Sequence, residues 1–203
     1  PEEEIDGNVP IESGAEITIG ERLFLETRFS QFYAVNSGGD ANVSLGAGDP
    51  VVTTVQRFDG ATIPGPFVDT SINCRSCHFV DDVIDDVNSG TRTYSDFARR
   101  SPLTARVGGA ATSTRNSQSL PDAALLTGND VLFHFDGEFT SFETLSEMTL
   151  LSPMMGWQVG EADDALANVA NIIRNDNGTG DLAQEFGGAY SVILTGKIGR
   201  AHV

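Results

Sequence analysis

The sequence of 203 residues has few basic side chains: 12 lysines and arginines stand against 29 aspartates and glutamates, giving a formal net charge of −17. This negative charge repels nucleic acid and anionic lipid, so we expect no nucleic-acid partner, and it favours cationic partners at low ionic strength. No apolar run approaches the length of about 18 residues that a membrane-spanning helix needs, so we expect no membrane span. The hydrophobic content of 39% can nevertheless support a packed core.

Cysteine and histidine are scarce as well, yet they occur together in the stretch INCRSCHFV, residues 72–80. It contains both cysteines of the chain, Cys74 and Cys77, and His78 follows directly. A helical turn would place these side chains on one face, because residues three and four positions apart are neighbours on a helix. Two thiols on one face can bond to the two vinyl groups of a haem, and the adjacent imidazole can ligate the iron. The motif therefore predicts covalent haem c, with Cys74 and Cys77 as attachment residues and His78 as the proximal iron ligand.

Three other interpretations of the same motif remain open. A thioredoxin-like dithiol requires a βαβ context, which the sequence does not indicate. A structural zinc site could use Cys74, Cys77, His78 and His134, but zinc ligands usually come as two spaced pairs. A disulfide between Cys74 and Cys77 would be strained and would close almost no loop.

The rest of the pattern predicts a mainly α fold of short helices joined by long loops. The stretch 36–70 is rich in glycine, aspartate, proline and threonine, and VVTTVQRF (51–58) within it could form one strand of a small β-hairpin. Residues 81–90 are acidic and turn-like. Helices are predicted at 17–34, ended by TRFS, at 94–100, after a cap at Thr140 or Ser141, at 161–178 and at 180–194.

The order of several segments resembles the first haem domain of the bacterial di-haem cytochrome c peroxidases. The segments are GERLFLETRFS, CRSCH, TRNSQSL and FHFDGEFTSFETL, and DLAQEFGGAYSVIL is similar to the helix that closes that domain. The resemblance covers 17–195, with 36–70 as an insertion. It implies a cytochrome c-like haem domain in the periplasm that reduces hydrogen peroxide with electrons from a small electron-donor protein. It also implies that the second haem domain is missing from this chain.

The two ends of the sequence lie outside this resemblance. Residues 1–16 form an acidic lead-in. The tail, 196–203, ends in KIGRAHV, which we interpret as a non-native addition because a common sequencing adapter gives the same peptide when translated.

The resemblance also suggests roles for residues outside the haem motif. Asn116 matches an asparagine that helps to bind calcium between the two domains. Phe135 and Glu138 replace the tryptophan and the arginine of the family pattern, and the position of the catalytic glutamate falls at or near Met155. We therefore assign no catalytic residue.

The sixth iron position has two candidate ligands, Met155 and His134. A methionine ligand would block substrate access, which favours an alternative function: a non-catalytic mono-haem electron-transfer domain with a six-coordinate haem. Buried methionine is also common core filler, and a lone histidine beside aromatic residues often serves as a hydrogen-bonded core residue. Candidate partners of the haem propionates are Arg99, Arg100, Arg106 and Arg115.

Overall fold

The computed structural model describes residues 15–56, 62–64, 67, 69–78, 84–86, 90–92, 103–104, 106, 113, 117, 120, 132–134 and 137–198. These residues are mostly helical, which confirms the mainly α class predicted from the sequence. The helix predicted at 94–100 lies outside them. Within the described residues, no helix is long and apolar enough to cross a membrane.

The helices are short and follow one another with few intervening strands. Their bounds are Ala15–Leu25 (α1), Gln31–Asn36 (α2), Pro50–Thr53 (α3), Phe142–Leu150 (α4), Ala162–Asn175 (α5), Asp181–Glu185 (α6) and Tyr190–Ile198 (α7), with a 3₁₀ helix at Pro153–Met155. The prediction that TRFS ends the first helix is confirmed, because α1 ends at Leu25. The range 17–34 is corrected, because its last residues belong to a separate helix, α2. Ser30 starts α2 by accepting a hydrogen bond from the backbone N–H of Tyr33 at 3.2 Å.

Among the residues that the structure describes, two antiparallel hairpins lie between α3 and α4. The first pairs Thr54–Gln56 (β1) with Thr62–Pro64 (β2) inside the 36–70 stretch, where the sequence suggested a hairpin. Its first strand is shorter than VVTTVQRF because α3 takes up the beginning of that segment. The second hairpin pairs Ile84–Asp86 (β3) with Gly90–Arg92 (β4), where only a turn-like segment was expected.

The C-terminal helices begin and end at the signals that the sequence provides. Ser141 caps α4 by accepting from the N–H of Thr144 at 3.1 Å, as predicted. Helix α5 ends before Gly178, whose φ of 78° is readily adopted only by glycine. The single helix predicted over 180–194 is wrong: Gly187 and Gly188, with φ of 91° and 108°, separate α6 from α7. Such positive φ values cannot continue a right-handed helix.

The buried apolar residues form two clusters. The larger cluster, here called the main core, comprises Phe29, Tyr33, Ala41, Met155, Trp157, Ala165, Ile172 and Tyr190. It joins the segment after α1 to α5 and α7, so residues far apart in sequence share one core. The smaller cluster, here called the cysteine cluster, comprises Val52, Ile72 and Cys77, with Val51 and Phe67 packed against it.

A buried network of charged side chains connects the end of α1 to the ends of α5 and α7. Arg22 is 0% exposed and donates to Asp176 and to the carbonyl of Gly188. Its guanidinium carbon lies 3.8 Å from the ring centroid of Tyr190. The same carboxylate of Asp176 also accepts from Arg28 at 3.2 Å and from the backbone N–H of Tyr190 at 3.0 Å.

Glu26 completes this network from the other side. It is 1% exposed and accepts two hydrogen bonds from the guanidinium of Arg28, at 2.6 and 2.7 Å. It also accepts from the hydroxyl of Tyr190 at 2.8 Å. The buried cation Arg22 and the partly buried cation Arg28 are thus matched by two buried anions, so the charges compensate one another.

Candidate functional site

The cysteine motif forms a helical turn. The N–H of His78 donates to the carbonyl of Cys74 at 2.9 Å, which is the hydrogen bond between residues four apart that defines an α-helical turn. The N–H of Cys77 donates to the same carbonyl at 3.2 Å. The backbone at 74–78 is therefore helical, as the haem interpretation of the motif assumed.

Asn73 and Ser76 cap this turn reciprocally. The Oδ1 atom of Asn73 accepts from the backbone N–H of Ser76 at 2.9 Å and from its hydroxyl at 2.8 Å. The Oγ atom of Ser76 in turn accepts from the backbone N–H of Asn73 at 3.2 Å. This arrangement resembles a capping box, in which the residue before the helix and the third residue within it satisfy each other's backbone groups.

The turn is fastened to the last residue of α1 and to the segment that follows it. The amide nitrogen of Asn73 donates to the carbonyl of Leu25 at 2.9 Å, and the hydroxyls of Ser71 and Ser30 form a hydrogen bond with each other. Ser30 and Ser71 are both buried. The same segment, through Phe29, enters the main core, so the motif is connected to the rest of the fold on this side.

The two thiols differ in their surroundings. Cys77 is 8% exposed and packs in the cysteine cluster, while Cys74 and His78 are partly exposed. Both cysteines are thiols rather than a disulfide, which corrects the disulfide alternative. Although Cys74 as a whole residue is partly exposed, its thiol is desolvated, and this desolvation, followed by the proximity of Cys77, raises the pKa of the thiol to about 11.

The raised pKa of Cys74 differs in direction from that of the reactive cysteine in a dithiol catalyst. A reactive cysteine needs a lowered pKa, because the thiolate is the nucleophile. Cys74 instead stays protonated at neutral pH, and the hairpins of the described residues are antiparallel rather than part of a βαβ unit. The thioredoxin-like alternative is therefore not supported.

The described residues contain no group of three or more histidine, cysteine, aspartate or glutamate side chains arranged to hold a metal ion. His134 contacts other residues: its ring packs edge-on against Phe139 at 5.0 Å, and its Nδ1 lies 3.4 Å from a carboxylate oxygen of Glu138. Its φ of 67° belongs to a tight turn closed by the N–H of Gly137 and the carbonyl of His134. A role as distal iron ligand remains a prediction.

Met155 belongs to the main core and is 3% exposed, whereas Cys77 belongs to the cysteine cluster. The residue before Met155, Met154, is 38% exposed. In the structure Met155 therefore contributes to packing, and its ligation of a haem iron also remains a prediction.

Several other predicted residues can now be placed. Arg106 donates two hydrogen bonds to the carboxylate of Glu161 and one to the carbonyl of Gly156, so it is engaged in a salt bridge rather than left for a propionate. Glu138 is largely exposed. Asn116, Phe135, Arg99, Arg100 and Arg115 lie outside the described residues.

Sequence analysis overlooked Asp49, a buried carboxyl near the motif. It is 1% exposed; its carboxylate accepts from the N–H of Val51 at 3.0 Å, and its own N–H donates to the carbonyl of Thr70 at 2.7 Å. Burial raises its pKa, and the hydrogen bonds from Val51 and Thr104 only partly offset this. Within the described part of the chain it has no salt bridge. Sequence analysis also missed the Asn73–Ser76 cap, although an asparagine directly before a helical turn is a recognised capping signal.

Comparison with known proteins adds no further assignment. No protein-family model, no curated protein and no solved structure matches the chain. The chemistry of the site therefore rests on its own residues. Two thiols and an imidazole on one capped turn form a donor set that fits covalent attachment of a haem and ligation of its iron.

Proposed function

We propose that the chain is a c-type haem domain of a periplasmic di-haem peroxidase-like oxidoreductase. The observation that carries the proposal is the capped helical turn at 74–78, whose backbone carries two thiols and an imidazole within one turn. In this proposal Cys74 and Cys77 hold the haem covalently, and His78 binds its iron. The bound haem would supply one-electron redox chemistry and a coordination position for hydrogen peroxide.

The packing of distant segments supports a single domain of this kind. GERLFLETRFS and DLAQEFGGAYSVIL both resemble parts of the family's first haem domain. In the structure these segments meet through the pairs Arg22–Gly188 and Glu26–Tyr190. The remaining partners of the proposal are a second haem domain, a small electron-donor protein and calcium bound with the help of Asn116.

One observation favours a second candidate function, a mono-haem electron-transfer domain without catalysis. The position of the family's catalytic glutamate falls at or near Met155, which is a buried methionine, and a methionine cannot transfer a proton as a general acid or base. If Met155 were the sixth iron ligand, it would block the position that peroxide needs.

Absorption spectroscopy distinguishes the two functions. The chain would be made in a bacterial host that attaches c-type haem, and the oxidised protein would be mixed with hydrogen peroxide. A high-spin ferric spectrum that shifts with peroxide supports the oxidoreductase. A low-spin spectrum with a methionine-to-iron charge-transfer band, lost in Met155→Leu, supports the electron-transfer domain. A spectrum without haem contradicts both.

A further inference from the structure

The proposed attachment turn depends on two residues that are neither thiol nor iron ligand. Asn73 is 6% exposed and Ser76 is 0% exposed. Three hydrogen bonds between them involve a side chain, two from Ser76 to the Asn73 amide oxygen and one from the Asn73 backbone to the Ser76 hydroxyl. The Ser76 N–H also donates to the backbone carbonyl of Asn73 at 3.2 Å. Because both residues are buried, water cannot readily replace a partner that is removed, and the group left behind would bear a desolvation cost.

The amide nitrogen of Asn73 makes a separate contact that fixes the position of the turn. It donates to the carbonyl of Leu25, the last residue of α1, at 2.9 Å. The last carbonyls of a helix have no partner within the helix, so this bond satisfies a group that α1 cannot satisfy itself. One side chain thus uses its oxygen to close the cap and its nitrogen to tie the turn to α1.

We infer that Asn73 and Ser76 are positioning residues that hold the 74–78 turn in the form required for covalent attachment of haem. This inference rests on the proposed function and adds residues to the same site.

The attachment reaction makes such positioning useful. Each thiol adds across one vinyl group: the S–H bond breaks, an S–C bond forms, and the hydrogen goes to the neighbouring vinyl carbon. Atoms balance, and neither an oxidant nor a reductant is consumed. After one thioether has formed, the second depends on the spacing of Cys74 and Cys77, which is set by the hydrogen bonds from Cys77 and His78 to the Cys74 carbonyl. A frayed turn would therefore reduce the fraction of doubly attached protein.

Asn168 provides a matched control. Its amide nitrogen donates to the carbonyl of Arg28 at 2.9 Å, so it makes the same type of bond, at the same length, to the segment that follows α1. Its bond involves no residue of the 73–78 turn. Asn168→Ala should therefore lower overall stability without changing the turn.

The first measurement is amide hydrogen exchange on the full chain with haem attached. In Asn73→Ala we expect exchange at the N–H groups of Ser76 and His78 to become about tenfold faster, which corresponds to the loss of about one hydrogen bond. Ser76→Ala should have a similar effect on His78. Asn73→Asp retains the acceptor oxygen, so it should restore most of the protection at Ser76, while Asn168→Ala should leave both positions unchanged.

The second measurement is intact mass of the same variants made in a host that attaches haem. We expect Asn73→Ala to shift protein from the doubly attached form to singly attached or unattached forms by at least about twofold, with partial rescue in Asn73→Asp. Unchanged exchange or unchanged attachment in Asn73→Ala, in a wild type that carries haem, overturns this inference alone. A wild type without haem instead refutes the proposed function, and with it the role of these residues in attachment.

Discussion

Arg22 and Asp176 form an ion pair in the interior of the protein, with side chains 0% and 2% exposed, although 154 positions separate them in sequence. The pair joins α1 to the end of α5, and α1 also carries Leu25, whose carbonyl accepts from Asn73 beside the cysteine motif. Arg28 binds the other oxygen of the same carboxylate at 3.2 Å. Asp176 is thus the shared anion of two arginines, and the structure around the proposed site depends on it.

Asp176→Asn should lower the free energy of unfolding by about 3–5 kcal/mol, because it leaves Arg22 buried without its counter-charge. The measurement is urea unfolding at pH 7, followed by circular dichroism. Burial alone would raise the pKa of Asp176, but Arg28, the Tyr190 N–H and Arg22 together lower it. Its stabilising contribution is therefore present above the ordinary pKa of aspartate, and it should disappear as the pH falls through the lowered value.

The control for this prediction is the partly exposed pair between Arg106 and Glu161. Glu161→Gln removes one charge from a solvent-screened pair, so its effect on unfolding should be much smaller than that of Asp176→Asn. Equal effects of the two substitutions would show that the Asp176 network does not hold the fold together as described.

Asp49→Asn should stabilise the protein at pH 7 by an amount on the order of 1 kcal/mol. Burial raises the pKa of Asp49, so the folded protein takes up a proton more readily than the unfolded chain. The wild type is therefore favoured at low pH and loses this stabilisation as the pH rises through the raised pKa. Unfolding in urea at pH 4 and pH 7 tests this, since the gain from Asp49→Asn should shrink at pH 4. A gain that is larger at pH 4 would contradict the assignment.

Cys74 in the chain without haem should react slowly with iodoacetamide at neutral pH. A pKa of about 11 in place of the ordinary 9.0 corresponds to about a hundredfold smaller thiolate fraction. Mass spectrometry of the alkylated protein, with the urea-unfolded chain as reference, gives the ratio of rates. Faster alkylation in the folded chain than in urea would indicate an activated dithiol and would revive the thioredoxin-like alternative.

Met155→Ala should reduce the free energy of unfolding by about 2–5 kcal/mol, because it removes a side chain from the main core. Met154→Ala is the matched control, since Met154 is 38% exposed and should contribute little. Thermal unfolding of both variants measures the difference. Similar losses in the two variants would place Met155 outside the core.

The local features of this fold follow from short stretches of sequence. Ser141 caps α4, and the periodic apolar residues from Ala165 to Ile173 lie in α5. Both features were predictable, because capping and helical periodicity depend on nearby residues. The break between α6 and α7 was missed because the helical pattern of the sequence continues across Gly187 and Gly188. That pattern does not reveal that both glycines have a positive φ.

In the candidate site, too, local features could be anticipated from the sequence and tertiary contacts could not. The haem interpretation of the motif assumed a helical turn at 74–78, and the structure has one. The tie of this turn to Leu25 could not be anticipated, because the two ends of that hydrogen bond lie 48 positions apart and meet only in the folded chain. Burial of Asp49 is likewise a tertiary effect, since nothing in GAGDPVV indicates what will cover its carboxyl group.

The most direct test of the account is the intact mass of the denatured wild-type chain, made in a host that attaches c-type haem and then extracted with acid acetone. The account predicts the mass of the polypeptide plus one haem, and the mass of the polypeptide alone for a chain carrying both Cys74→Ala and Cys77→Ala. A wild-type chain that has the mass of the bare polypeptide would contradict the central claim.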